Sequence, residues 1–223
     1  MKNIFTKPIF TLLTCLAFNN IQAQKTLQDG ILTYSISIET TNGEKQLNSA
    51  LNGAILTIYL SKDKSRTEMV SKLGSETTVY DNAVGKGYIL KEYSGQKLMI
   101  TITADNWAQK NLISNTLVFK ETEATTAIAG FECKKATATS AEGKNYTVFF
   151  DPTTTLTNKK YNNAFPQLQG VPVQYSLQSG NLVFKYTLQK SNSAVLPSAT
   201  FDPPKTGFRV MTYEENQQLK RGD

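Results

Sequence analysis

The sequence predicts an all-β protein with minor helix, built on a single large curved antiparallel sheet or incomplete barrel. Three observations predict it. Twenty-eight threonines, ten tyrosines and eleven phenylalanines in 223 residues weight the composition toward side chains that pack on a pleated surface. Apolar and polar residues alternate with a period of two in several stretches. The turns between those stretches are too short for the crossovers that parallel neighbours need.

In chain order, Leu32, Tyr34, Ile36 and Ile38 alternate with Thr33, Ser35, Ser37 and Glu39. Leu56, Ile58 and Leu60 repeat the pattern, as do Leu98, Ile100 and Ile102, and Leu182, Phe184, Tyr186 and Leu188. Shorter strands fit residues 66–70, 77–80, 88–93, 117–121, 131–139, 145–150 and 171–178. Turn chemistry lies between them: TNGEK at 41–45, YSGQ at 93–96, AEGKN at 141–145 and QSGN at 178–181, each carrying a glycine for a tight reversal. Helical signals are confined to residues 104–111, opened by Asp105, and to 214–220 at the C-terminus. Residues 151–169, rich in Thr, Asn and Pro, form the longest irregular stretch. Alternation gives the sheet one apolar face that must be covered. With so little helix, either the sheet folds over on itself or part of that face stays open.

Several function classes are excluded by composition. The chain has no histidine, which removes Ser-His-Asp and Cys-His nucleophile pairs, His-ligated metals and an imidazole pH switch. Its 39% hydrophobic content is that of a folded domain, and no segment reaches the roughly 20 apolar residues of a membrane-spanning helix. The formal net charge of +6 comes from scattered lysines without a clustered basic face, which argues against nucleic acid as a partner.

Residues 1–23 read as a signal peptide: Lys2 and Lys7 precede a short apolar stretch from Pro8 to Phe18, and Ala23 offers a small residue for cleavage. Residues 24–223 then form a single exported domain. Cys15 sits in LLTC, which resembles a lipid-attachment motif, but Thr14 stands where Gly, Ala or Ser is wanted. Cys15 is read as part of the discarded leader, leaving Cys133 as the single mature thiol and no internal disulfide.

The second half carries an ordered set of short motifs. Ile128-Ala129-Gly130-Phe131-Glu132-Cys133-Lys134-Lys135 is followed by Tyr146-Thr147-Val148-Phe149-Phe150-Asp151. Then come Gln169-Gly170-Val171-Pro172-Val173-Gln174-Tyr175 and a closing Phe201-Asp202-Pro203 with Gly207-Phe208. This order resembles a family of uncharacterised exported envelope proteins related to the periplasmic lipoprotein carriers (LolA/LolB-like). The resemblance implies a half-barrel with an apolar concavity and an address in the periplasm or cell envelope of a Gram-negative bacterium, and marks Gly130, Phe131, Cys133, Gly170, Pro172, Phe201, Pro203 and Gly207 as structural motif positions.

Candidate chemistry is sparse. Cys133 reads as a small buried hydrophobe beside Phe131. Acid–base chemistry of the glycosidase kind needs two carboxylates facing across a cleft; Glu121, Glu123, Asp151, Asp202, Glu214 and Glu215 fall mostly at strand ends and turns and read as solvated surface. No phosphate loop, Cys-x-x-Cys pair or nucleophile elbow is present. The chain is therefore read as a non-catalytic protein without catalytic residues, metal or cofactor. Tyr34, Ile36, Ile38, Leu56, Ile58, Leu60, Tyr88, Leu90, Leu98, Ile100 and Ile102 are the candidates for lining a ligand cavity. Its occupant would be a lipid, an acyl chain or a lipoprotein. The alternative is an envelope protein–protein interaction module with a filled core and no small ligand.

Overall fold

The structure, a computed structural model, describes residues 25–40 and 50–221. The segment read as a leader, with Cys15, and the turn expected at 41–45 lie outside the described residues. The N-terminal half is an antiparallel meander of β2 (Gly30–Thr40), β3 (Ala54–Leu60), β4 (Lys64–Ser71), β5 (Gly74–Asp81), β6 (Lys86–Tyr93) and β7 (Gln96–Ile102). The C-terminal half comprises β8 (Lys120–Ile128), β9 (Phe131–Thr139), β10 (Asn145–Asp151), β12 (Val171–Ser179) and β13 (Leu182–Ser193). The halves meet where β2 pairs antiparallel with β13, so the first long strand lies at the middle of the sheet.

A late strand, β14 (Arg209–Thr212), pairs parallel with β7 and makes one edge; β8 makes the other. The result is one twelve-stranded curved sheet that does not close into a barrel. A small parallel pair, β1 (Lys25–Leu27) with β11 (Thr154–Leu156), lies outside it. Register shifts occur between Glu121 and Thr125, Phe149 and Phe150, and Leu188 and Lys190. All three lie in the C-terminal half, where such irregularities bend and twist strands.

Helical elements among the described residues include α1 (Ala104–Lys110), α2 (Leu112–Thr116), α3 (Tyr213–Arg221) and a 3₁₀ turn at Ser198–Phe201. The start of α1 is fixed by Thr103, whose hydroxyl accepts from the Asn106 backbone N–H while Asn106 returns a bond to the Thr103 backbone, a reciprocal capping arrangement. Asn106 also donates through Nδ2 to Glu214 Oε1 at 2.7 Å, tying α1 to α3. The strand expected at 117–121 starts later, at Lys120. Leu117 turns inward instead, and Phe119 packs edge-on against Phe165 at 5.6 Å. Burial of two large side chains outweighs the extension of the ladder.

The pairing register separates the two faces. Tyr34, Leu56, Met69, Glu76, Lys91 and Leu98 share one face by direct cross-strand partnership, and Tyr186 and Tyr175 continue it past β2. Side chains from β5 and β12, five strands apart, border the same cavity on this face, so the sheet curls around it and this is the concave side. It is covered by α1, α2 and the irregular residues 157–169. Trp107 of α1 stacks on Tyr80 at 4.1 Å with the rings nearly parallel, while Tyr161, Phe165 and Leu168 plug the other end.

Asparagines shape the irregular plug. Asn158 donates to the Ser61 and Lys64 carbonyls and accepts from Asn82 Nδ2 and the Lys160 N–H. Asn163 accepts from the Phe165 N–H at 2.9 Å. Side-chain amides thus satisfy the backbone groups that a buried irregular segment leaves unpaired. The concave face is covered by these elements rather than by the sheet folding over itself.

Candidate functional site

Between the concave face and its cover lies a cavity of about 320 Å³, at the small end of ligand-site sizes. Its sheet wall has two characters. Leu56 of β3, Met69 of β4, Tyr175 and Leu177 of β12 and Tyr186 of β13 make an apolar side; Thr67 of β4 with Glu76 and Thr78 of β5 make a polar one. The cover contributes Lys110, Asn111 and Ser114 from the helical pair and Asn162, Asn163 and Ala164 from the plug. Lys110 Nζ donates to Asn162 Oδ1 at 2.6 Å and so links the two halves of the cover. A second cavity of about 370 Å³ adjoins it under α1, beside Trp107, Tyr80 and Tyr161, and Asn111 and Asn163 line both.

An aromatic group divides the first cavity from the solid core. Tyr175 stacks on Tyr186 at 4.8 Å and meets Tyr34 and Phe165 edge-on at 6.0 and 5.0 Å. Such offset and edge contacts fix ring orientation. Burial raises the phenol pKa values of Tyr34 and Tyr175 and pushes Tyr186 up to about 12, with Glu76 adding to the last. These tyrosines are neutral hydroxyls at any physiological pH. Glu76 is bridged by Lys91 at 3.6 Å. Thr67 is 6% exposed, and its Oγ1 has no hydrogen-bond partner among the described residues.

The structure distributes the sequence-derived cavity candidates over three places. Tyr34, Ile36, Ile38, Ile58 and Leu60 pack into solid core with Val173, Leu188 and Tyr161, and of the first six candidates Leu56 borders the cavity. Leu98, Ile100 and Ile102 lie at the far end of the concave face, packed with Ile89, Trp107, Met211 and Tyr213. Tyr88 and Leu90 lie on the convex face, in a separate cluster with Val79 and Phe201. The register of β6 turns them to that face, and the strap 194–208, which crosses it, buries them there. The Tyr88 hydroxyl donates to the carbonyls of Phe201 and Asp202, at 3.1 and 2.7 Å.

The motif residues serve the backbone. Ala129 and Gly130 both have positive φ and form the tight β8–β9 reversal, as a two-residue hairpin of that twist requires. Cys133 is fully buried with half-buried Phe131 in the central cluster, and burial, with Asp151 adding, pushes its thiol up to about 11. Gly170 passes so close to Phe150 and Asp151 that a side chain there would collide with both. Pro172 presents its carbonyl to the Tyr34 hydroxyl. Phe201 anchors the convex strap, on which Pro203 and Gly207 are exposed.

Sequence reasoning missed Thr67, Glu76 and Thr78, because polar residues in a polar strand leave no alternation to read. Tyr175, Leu177 and Tyr186 were readable from the period of β12 and β13. Among the described residues, no group of three or more His, Cys, Asp or Glu side chains is placed to hold a metal ion.

No protein-family model matches the chain, and no curated protein matches it in sequence. Solved structures do. An uncharacterized conserved protein from Thermus thermophilus is similar with a TM-score of 0.51 at 10% identity, over 83% of this chain and 91% of that one. A LolA superfamily protein, NE2245 from Nitrosomonas europaea, gives 0.35 at 6% identity, over 79% and 91%. PNGF-II gives 0.45 at 13% identity over 86% of this chain and 32% of its own, so the chain spans about a third of that protein's length. The likeness to the Thermus thermophilus protein is one of fold alone, at 10% sequence identity.

Proposed function

We propose that the protein is a non-catalytic ligand-binding module of the cell envelope, holding a small molecule with an apolar portion between the concave sheet face and its cover. The observation that carries this reading is the 320 Å³ cavity. It is bounded by rigid strands on one side and by two short helices and an irregular plug on the other. An acyl chain or similar apolar group would lie along Leu56, Met69 and Leu177, its burial supplying affinity at about 25 cal/mol per Å² of apolar surface. Signal-peptide cleavage near Ala23 and a single domain over residues 24–223 belong to the same proposal, as does an envelope address.

A second reading has its own support. Most of the concave face is filled by its own side chains, with Leu32, Tyr34, Leu60 and Leu188 almost wholly buried, as suits a module that binds another envelope protein through its surface. One experiment separates the two. The protein is purified from membranes of its host and analysed by native mass spectrometry, then heated with phospholipids and acylated peptides. A co-purifying small molecule or a ligand-dependent rise in Tm supports the first reading. A bare mass with an unmoved Tm, together with one stoichiometric protein partner, removes it in favour of the second.

A further inference from the structure

We propose that Gln24 is a modification site: once the chain is cut after Ala23, the new α-amine closes on the glutamine's own side chain and gives an N-terminal pyroglutamyl ring. The inference rests on the proposed signal-peptide cleavage near Ala23 and goes beyond it by naming what the new terminus becomes.

The fold limits where a leader could end. β1 pairs in register with β11, from Lys25 opposite Thr154 to Leu27 opposite Leu156, and the Lys25 N–H donates to the Thr153 carbonyl at 2.7 Å. Leu27 is 1% exposed and packs in the central cluster, so a cut inside β1 removes ladder pairs or core. Cleavage needs a small residue before the bond, and Ala23 is the last alanine, glycine or serine ahead of β1. That bond leaves one residue, Gln24, in front of the strand.

Glutamine at a chain start has chemistry that an internal glutamine lacks. An α-amine titrates near neutrality, far below a lysine, so a share of it is an uncharged nucleophile at neutral pH. Its nitrogen attacks the side-chain Cδ and forms a five-membered lactam. The Cδ–Nε2 bond breaks and ammonia leaves, taking up the proton that the amine gives up. Nothing is oxidised or reduced, and no second reactant is consumed. The Gln24–Lys25 peptide bond is untouched, so Lys25 keeps its bond to Thr153.

The ring protects a strand that matters to the cover. Lys25 and Thr26 are exposed, and stepwise removal of residues from an open terminus would reach them first. Beyond them, the Leu27 carbonyl accepts from the Thr157 N–H at 3.1 Å, and the next residue, Asn158, ties the plug to the Ser61 and Lys64 carbonyls. β1 thus anchors the first residues of the plug, and a terminus without a free amine gives an aminopeptidase nothing to grip.

The test produces the full chain, leader included, in its host and measures the exported protein by intact mass spectrometry, with fragmentation to place any mass change. Parent and Gln24→Ala are compared. The expected parent mass is that of residues 24–223 less one ammonia, with the loss placed at residue 24; Gln24→Ala begins at the same position with an unaltered mass. A broad-specificity aminopeptidase leaves the parent whole and shortens Gln24→Ala, and the shortened chain melts at a lower temperature. A parent that begins at Gln24 and retains its ammonia overturns this inference and leaves the cleavage reading intact. A mature chain that begins at any other residue overturns both. Equal shortening of a ring-bearing parent and Gln24→Ala overturns the protective role.

Discussion

The Tyr34 hydroxyl donates a 2.7 Å hydrogen bond to the Pro172 carbonyl, reaching from β2 of the N-terminal half across β13 to the start of β12. Tyr34 is 1% exposed, so this bond is made where water does not compete. Replacing it with phenylalanine keeps the ring and strands the Pro172 carbonyl. Tyr34→Phe is expected to lower stability by about 1–2 kcal/mol, read as a shift of the urea midpoint at unchanged slope. An unmoved midpoint contradicts the burial argument.

Gly170 and Gly130 are expected to respond differently to alanine. At Gly170 the new Cβ meets the Asp151 carbonyl and the Phe150 ring, both fixed in the core, and the cost is about 2–4 kcal/mol. At Gly130 nothing lies within 4 Å, and only the positive φ of 84° opposes a side chain, at about 1 kcal/mol. Thermal melts of the two variants check the order; a larger loss at Gly130 contradicts it.

Cys133 is expected to be inert in the native protein. With the thiol near 11, only about one molecule in a thousand carries a thiolate at pH 8, and the sulfur is out of reach of solvent. Iodoacetamide should label the urea-unfolded chain within minutes and leave the native chain unmodified over hours. Rapid native labelling sinks this account.

Stability is expected to fall in alkali. Burial lifts Cys133 from 9.0 to about 11 and Tyr88 and Tyr186 from 10.0 to about 12, and raises Tyr34, Tyr161 and Tyr175 as well. Above pH 9 the unfolded chain begins to release protons that the folded chain retains, so the stability these groups hold below pH 9 is lost as pH rises toward 12. Urea midpoints at pH 8, 10 and 11 should decline in that order. A flat profile is incompatible with these shifts.

Strand existence was legible where one face is wet. In β2, Tyr34, Ile36 and Ile38 alternate with exposed partners, and the period reads directly. In β6, Tyr88, Ile89 and Leu90 are all buried, because α1 covers one side of the sheet and the 194–208 strap the other. Alternation then carries no information about which face is which, and residues from opposite faces were grouped together. The plug was illegible for another reason: its order comes from Asn158 and Asn163 bonding to distant or local backbone, in a composition that also suits a loose loop. The polar wall at Thr67 and Thr78 was hidden because threonines within a polar strand leave no alternation to read.

The pairing of β2 with β13 also sets the order in which the protein assembles. Within each half, successive strands are joined mostly by short reversals and can zip locally. The central seam joins positions 152 residues apart, as between Ser35 and Thr187, and closing a loop of that length carries an entropic cost that short hairpins avoid. The two half-sheets are thus the early-forming units and the seam the late event. Until it closes, the chain exposes two unpaired inner strands, making the interval before docking the moment when it is most vulnerable to pairing with another copy of itself.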